Sequence, residues 1–159
     1  MSIKYRIAIG TIAFSAAGLV GIAEYESYTG HAIIPIPGDV PTIGFGTTDG
    51  VKMGDRITPP VALARALKDV QKFEGALKDC IKVPLHQYEY DAFLSLAYNI
   101  GSGAFCGSTL VRLLNEGKYA QACAQISRWN KAAGREIRGL TVRREKERAK
   151  CEGKQTEVS

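Results

Sequence analysis

Seventeen consecutive uncharged residues, Ile7 to Ala23, run without a linker into Glu24, Glu26 and a Gly/Pro-broken stretch that ends in Thr42-Ile43-Gly44-Phe45-Gly46. Such a run must be buried as a helix or placed in a bilayer, and as a helix it is roughly 25 Å long, slightly less than the hydrocarbon core. Lys4 and Arg6 precede it, the order of a charged n-region and an apolar h-region. Its content is weak for a span: seven residues are Ile, Leu, Val or Phe, against three Gly, one Ser and one Thr, which places it near the insertion threshold. Four readings stay open at this point: a cleaved signal, a permanent anchor, a marginal span that can leave the bilayer, and an ordinary buried helix. Cleavage after Ala23 would strip the residues that should form the helix leading into Glu26, which argues against the first.

The chain of 159 residues is large enough for one core and too short for two comfortable domains. We expect residues 1–23 to merge into the first helix of a folded domain over 24–159. The balance of 21 Lys+Arg against 16 Asp+Glu gives +5, with cations crowded from Arg135 to Lys150. That run suits an anionic partner, or a solvated helix face in which Glu136, Glu145, Glu147 and Glu152 pair with the cations at helical spacing. Four cysteines, Cys80, Cys106, Cys123 and Cys151, form no zinc spacing. They would make two disulfides in an oxidising compartment and remain thiols in the cytoplasm.

From Ala32 to Met53 short apolar pieces are broken by Pro and Gly, which predicts a small β region. Thr58-Pro59-Pro60 opens a helix carrying Val61, Ala64, Leu67, Val70 and Leu77 at helical spacing. Further helices are predicted over 87–100, with Tyr90, Phe93, Leu94 and Ala97 as the buried stripe, and over 108–116, 119–129 and 141–151. The class is α+β, dominated by helix.

Cleaving a glycosidic bond requires an acid for the leaving oxygen and a second group that handles water on the other face. Glu26 is the candidate acid, because a carboxyl at the end of an apolar helix is partly removed from water, the setting in which an acid keeps its proton. Glu24 points to another helix face and is the weaker candidate. The alternative for Glu26 is a helix-terminal surface charge.

Glu26 followed by the Thr42-Ile43-Gly44-Phe45-Gly46 turn resembles the phage-type, T4-like lysozymes, in which an acid ending the first helix is followed by a second acid and then the Thr of this turn. The fit is at the outer positions. Pro35 stands nine residues after Glu26, where the family places its middle acid, and Thr42 lies one residue further on than in the family. Asp39, in Pro37-Gly38-Asp39-Val40-Pro41, is the nearest carboxylate, and we assign it the second role, with Thr42 holding the water. Within the same resemblance Thr42 alone could orient the water, and Asp39 could be a plain turn residue. Thr47 stands where the family commonly has His after the turn. Tyr98-Asn99-Ile100-Gly101-Ser102-Gly103, Arg128-Trp129-Asn130 and Gly139-Leu140 with Arg143-Arg144-Glu145 extend the likeness over about 130 residues. Asn99 and Gly44 are the substrate contacts it implies, with Asn99 at a helix-ending Gly turn equally suited to capping, while Trp129 and Tyr98 read as core aromatics.

The resemblance implies a predominantly helical lysozyme-like fold with a small β region walling a cleft. It further implies a muramidase cutting peptidoglycan between N-acetylmuramic acid and N-acetylglucosamine with inversion, acting as a monomer without cofactor or metal. Some endolysins of this family carry a signal-arrest-release segment, a weakly apolar span that tethers an inactive enzyme to the inner membrane and then escapes into the periplasm of an infected Gram-negative host. Residues 7–23 suit that role and hold no Cys, so activation would come from refolding residues 7–27 into the helix that presents Glu26. Exposure to the periplasm would then let Cys80 pair with Cys106 and Cys123 with Cys151. Two other classes compete: a membrane-active or wall-binding protein with Glu26 silent, and a nucleic-acid binder, for which no helix-turn-helix or aromatic-interleaved basic patch is present.

Overall fold

The computed structural model describes residues 5–154, and two compact units divide the chain: residues 19–72 in one, the flanking residues in the other. Lys4 of the expected n-region, with the rest of residues 1–4, and residues 155–159 of the expected domain lie outside the described residues.

In the flanking unit the helices are α3 (Gln87–Ile100), α4 (Ser102–Cys106), α5 (Thr109–Asn115), α6 (Tyr119–Gln125) and α7 (Arg138–Cys151), joined by the C-terminal part of α2 (Pro59–Cys80) from Phe73 on. The α3 range is the one the periodicity predicts, but its burial is not a stripe: every residue from Glu89 to Ala97 is buried. A helix covered on all sides must satisfy its polar residues inside the protein. Glu89 is held by Arg6, Asp91 by Ser15 and Gln87, and Ser95 donates to Glu147. The predicted helix 119–129 ends at Gln125 and tightens into a 3-10 turn over Ile126–Arg128, whereas α7 starts three residues earlier than predicted. Between them lies a hairpin not read from the sequence, β3 (Lys131–Ala132) with β4 (Arg135–Glu136). Its turn residues Ala133 and Gly134 both have positive φ, 49° and 77°, as a two-residue type I′ turn requires. The two disulfides are Cys80–Cys106 and Cys123–Cys151, each with a Cα separation of 5.6 Å, within the range natural bridges occupy.

The apolar N-terminal segment is helical only from Ala16, in α1 (Ala16–Glu26). Residues 7–15 take another course. Ile7 exchanges two backbone hydrogen bonds with Leu85, a turn follows at Ala8 to Thr11, and Ile12 is buried. The Phe14 N–H then donates to Glu74 Oε1 at 2.6 Å, the Ser15 N–H donates to Asp91 Oδ1 at 3.1 Å, and Gln87 donates to the Ala13 carbonyl. Side chains thus take the backbone groups a helix would have paired. Ser15 starts α1 as its N-cap, its hydroxyl accepting from the Gly18 N–H at 2.9 Å. Of the glycines in α1, Gly18 is enclosed: a Cβ there would lie 2.6 Å from the Phe14 ring and 3.1 Å from Asp91 Cγ. Beside Gly21 there is open space. Among the described residues no helix is long and apolar enough to cross a membrane.

The unit of residues 19–72 holds the small β region: β1 (Thr29–Ile33) pairs antiparallel with β2 (Thr42–Gly44), Thr29 facing Gly44 and Ile33 facing Thr42, with a register shift between. A small apolar cluster of Ala32, Ile43 and Val51, with Ile57 packed against it, fixes the inner side of these strands.

Candidate active site

Glu26 is the last residue of α1. Ser27 ends the helix abruptly by adopting φ 51°, a left-handed conformation that non-glycine residues rarely take, and β1 begins two residues later. The half-buried Glu26 carboxyl is therefore delivered at a corner between helix and strand.

The Thr42-Ile43-Gly44-Phe45-Gly46 segment reaches the same corner. Ile43 and Thr47 close it with reciprocal backbone hydrogen bonds, Ile43 N–H to Thr47 carbonyl at 2.9 Å and Thr47 N–H to Ile43 carbonyl at 3.1 Å. Both glycines have positive φ, 66° at Gly44 and 87° at Gly46. Their lack of a side chain is used as well: a Cβ on Gly44 would lie 2.9 Å from Ala62 Cβ, and one on Gly46 would lie 3.1 Å from Glu26 Oε2. The backbone of the turn thus rests directly on the carboxyl of the candidate acid, which brings together the two motif pieces that the sequence separates by sixteen positions.

Thr42 opens β2, half-buried, its hydroxyl donating to the Val40 carbonyl at 3.3 Å. Asp39 is exposed. It closes a turn around Pro37 and Gly38, its N–H donating to the Ile36 carbonyl, and its Oδ1 accepts from the Val40 N–H at 2.8 Å. Gly38 at φ 88° after Pro37 is the pairing a type II turn requires. Pro35 is exposed in the same loop.

Asn99 belongs to the other unit, near the end of α3, where its Oδ1 accepts from Arg144 Nη2 at 3.0 Å. Tyr98 packs on Phe73 with ring centroids 5.2 Å apart. Trp129 is half-buried and lines a groove of about 400 Å³ with Ser108, Thr109, Gln125 and Arg128. Three arginines of the C-terminal basic run are paired within it: Arg143 and Arg144 are buried against Glu147, and Arg148 pairs with Glu152. The expected pairing at helical spacing holds for these three arginines, but the expected solvated face does not hold for Arg143 and Arg144, which are buried with Glu147.

Two features escaped the sequence reading. Tyr28 and Phe45 form a tilted aromatic pair, centroids 5.6 Å apart, with the Tyr28 hydroxyl anchored on the Ile57 carbonyl at 2.7 Å. The signal was an aromatic residue inside each motif piece. The second is the hydrogen bond from the Thr47 hydroxyl to Asp69 Oδ2 at 2.7 Å, between ordinary residues 22 positions apart.

Comparison with known proteins agrees with the resemblance. The phage lysozyme family model matches residues 23–147. A SAR-endolysin of Pseudomonas phage phiKMV is 39% identical over 140 residues, covering 86% of each chain. Among solved structures, an endolysin from Escherichia coli O157:H7 phage FAHEc1 superposes with a TM-score of 0.79 at 35% identity, over 92% of this chain and 96% of that one. The muramidase domain of SpmX from Asticaccaulis excentricus gives 0.81 at 29% identity, over 87% and 97%. The chain belongs to the phage lysozyme family and is a glycoside hydrolase of that kind.

Proposed function

We propose that this lysozyme cuts the bond between N-acetylmuramic acid and N-acetylglucosamine with Glu26 as the general acid. The observation that carries the reading is the seating of the Glu26 carboxyl against Gly46 of the Thr42–Gly46 turn. Glu26 gives its proton to the glycosidic oxygen as the bond breaks. A water on the opposite face attacks the anomeric carbon, oriented by the Thr42 hydroxyl and activated by Asp39, and the configuration inverts. Gly44 and Asn99 are assigned to substrate contact, and the enzyme acts as a monomer on peptidoglycan without nucleic acid.

Removing a general acid costs about 10² to 10⁴ in rate. Turbidity clearing of wall fragments should therefore fall at least about a hundredfold for Glu26→Gln. Clearing at the parental rate would refute the assignment of the acid. Asp39→Asn and Thr42→Val, assayed alongside, divide the second role: if Asp39→Asn stays within about threefold of the parent while Thr42→Val collapses, Thr42 alone orients the water.

Export belongs to the same proposal. Residues 7–23 tether the chain to the inner membrane and then release it to the periplasm, where the enzyme meets its substrate and lyses the host. The weak apolar content of the segment, two disulfides suited to an oxidising compartment, and relatives called SAR-endolysins support this reading. Fractionating cells that express the full chain should show a membrane-bound pool passing to a periplasmic one, and a chain found only in the cytosol would end the proposal.

A further inference from the structure

Thr47 is buried, 4% exposed, and uses every polar group it has at the turn: N–H and carbonyl to Ile43, hydroxyl to Asp69 on α2. Only Gly44, Phe45 and Gly46 lie between the two ends of the closed ring. The ring has two anchors: Ile43, fixed in the apolar cluster with Ala32 and Val51, and Thr47, fixed on Asp69. Gly46 is the neighbour of the second anchor and the residue on which the Glu26 carboxyl rests.

We infer that Thr47 and Asp69 are a positioning pair that sets the place of the Glu26 carboxyl through Gly46. The inference rests on the reading of Glu26 as the acid. Strand pairing and apolar packing at Ile43 restrain one end of the ring and the two backbone hydrogen bonds close it, while the Thr47 hydroxyl ties its far end to α2. A hydrogen bond from a buried hydroxyl carries direction. With Thr47 unpinned, the Gly46 backbone shifts against the carboxyl, and a misplacement of about 1 Å at a reacting group costs on the order of a hundredfold in rate. Neither residue touches the substrate in this scheme, so the loss falls on kcat and not on KM.

The test uses the full chain and steady-state kinetics on solubilised glycan strands, at a temperature where thermal melts show each variant fully folded. Thr47→Val keeps the shape and removes the donor, whereas Thr47→Ser keeps the donor. We expect kcat to fall about tenfold or more for Thr47→Val with KM within about twofold, and Thr47→Ser to stay within about threefold of the parent. Asp69→Ala removes the pair from the α2 side and should give the same split, which keeps the test alive if Thr47→Val does not fold. A folded Thr47→Val or Asp69→Ala with kcat within about twofold of the parent overturns the inference, as does a Thr47→Ser that falls as far as Thr47→Val. An inactive Glu26→Gln beside a fully active Thr47→Val sinks the positioning pair alone; a fully active Glu26→Gln sinks the acid first.

Discussion

At the residue scale, Glu147 shows how much a single carboxyl can hold. It is buried among Arg143 Nε at 3.1 Å, Arg144 Nε at 2.8 Å and the Ser95 hydroxyl at 2.7 Å, with Arg144 only 1% exposed. Burial pushes its pKa up against the pull of both guanidiniums, so the site depends on all partners being present. Glu147→Ala would leave buried guanidinium charge without a counterion and should lower unfolding stability by about 3–5 kcal/mol, measured by urea melts. A loss under about 1 kcal/mol would show that water reaches the two arginines. This network could be anticipated only as a helix-spaced charge pattern, because sequence spacing tells which charges can pair and not which side of the helix is covered. The meeting of Glu26 with the glycine turn was legible, since a motif of few residues fixes the backbone it needs. Thr47 was marked only as the residue standing in the family's His position, and nothing in Asp69, 22 residues on, marked it as the partner.

At the element scale, the helices were legible wherever periodicity persisted over several turns, as in α3, and their limits were lost where another part of the chain competed. Residues 7–15 are the clearest case: their apolar character predicts helix, but Glu74, Asp91, Gln87 and Leu85 bind their backbone groups and hold them out of it. The hairpin of β3 and β4 was missed because two-residue strands carry no alternation to read. The cysteine pairs join elements at sequence separations of 26 and 28: Cys80–Cys106 ties the end of α2 to α4, and Cys123–Cys151 ties α6 to the last residue of α7. Closing loops of this size restricts the unfolded chain by about 3–4 kcal/mol each. Reduction with dithiothreitol should therefore shift the urea midpoint down by a matching amount, and Cys123→Ser with Cys151→Ser should reproduce about half of it. Identical melts with and without reductant would contradict the prediction.

At the scale of the whole molecule, the proposed tether and the folded enzyme make incompatible demands on one stretch of chain. A bilayer requires residues 7–23 to be continuously helical, because no other backbone partner exists there. The folded protein has helix only from Ala16. The two glycines of α1 separate these demands. Gly18 is crowded in the fold, where a methyl group would have to displace the Phe14 ring and press on Asp91, whereas a methyl group at position 21 would meet nothing. Within a helix, alanine is favoured over glycine by about 0.8–1 kcal/mol. Gly21→Ala should therefore raise the stability of the folded enzyme by up to about that amount, read by thermal melts, while slowing passage from membrane to periplasm in pulse-chase fractionation. A variant that is no more stable, or that leaves the membrane as fast as the parent, would break this argument. On the proposed tethering, position 21 would record a compromise: the finished enzyme would hold together better with alanine, and the glycine would answer to a stage of the protein's life that comes before it is folded.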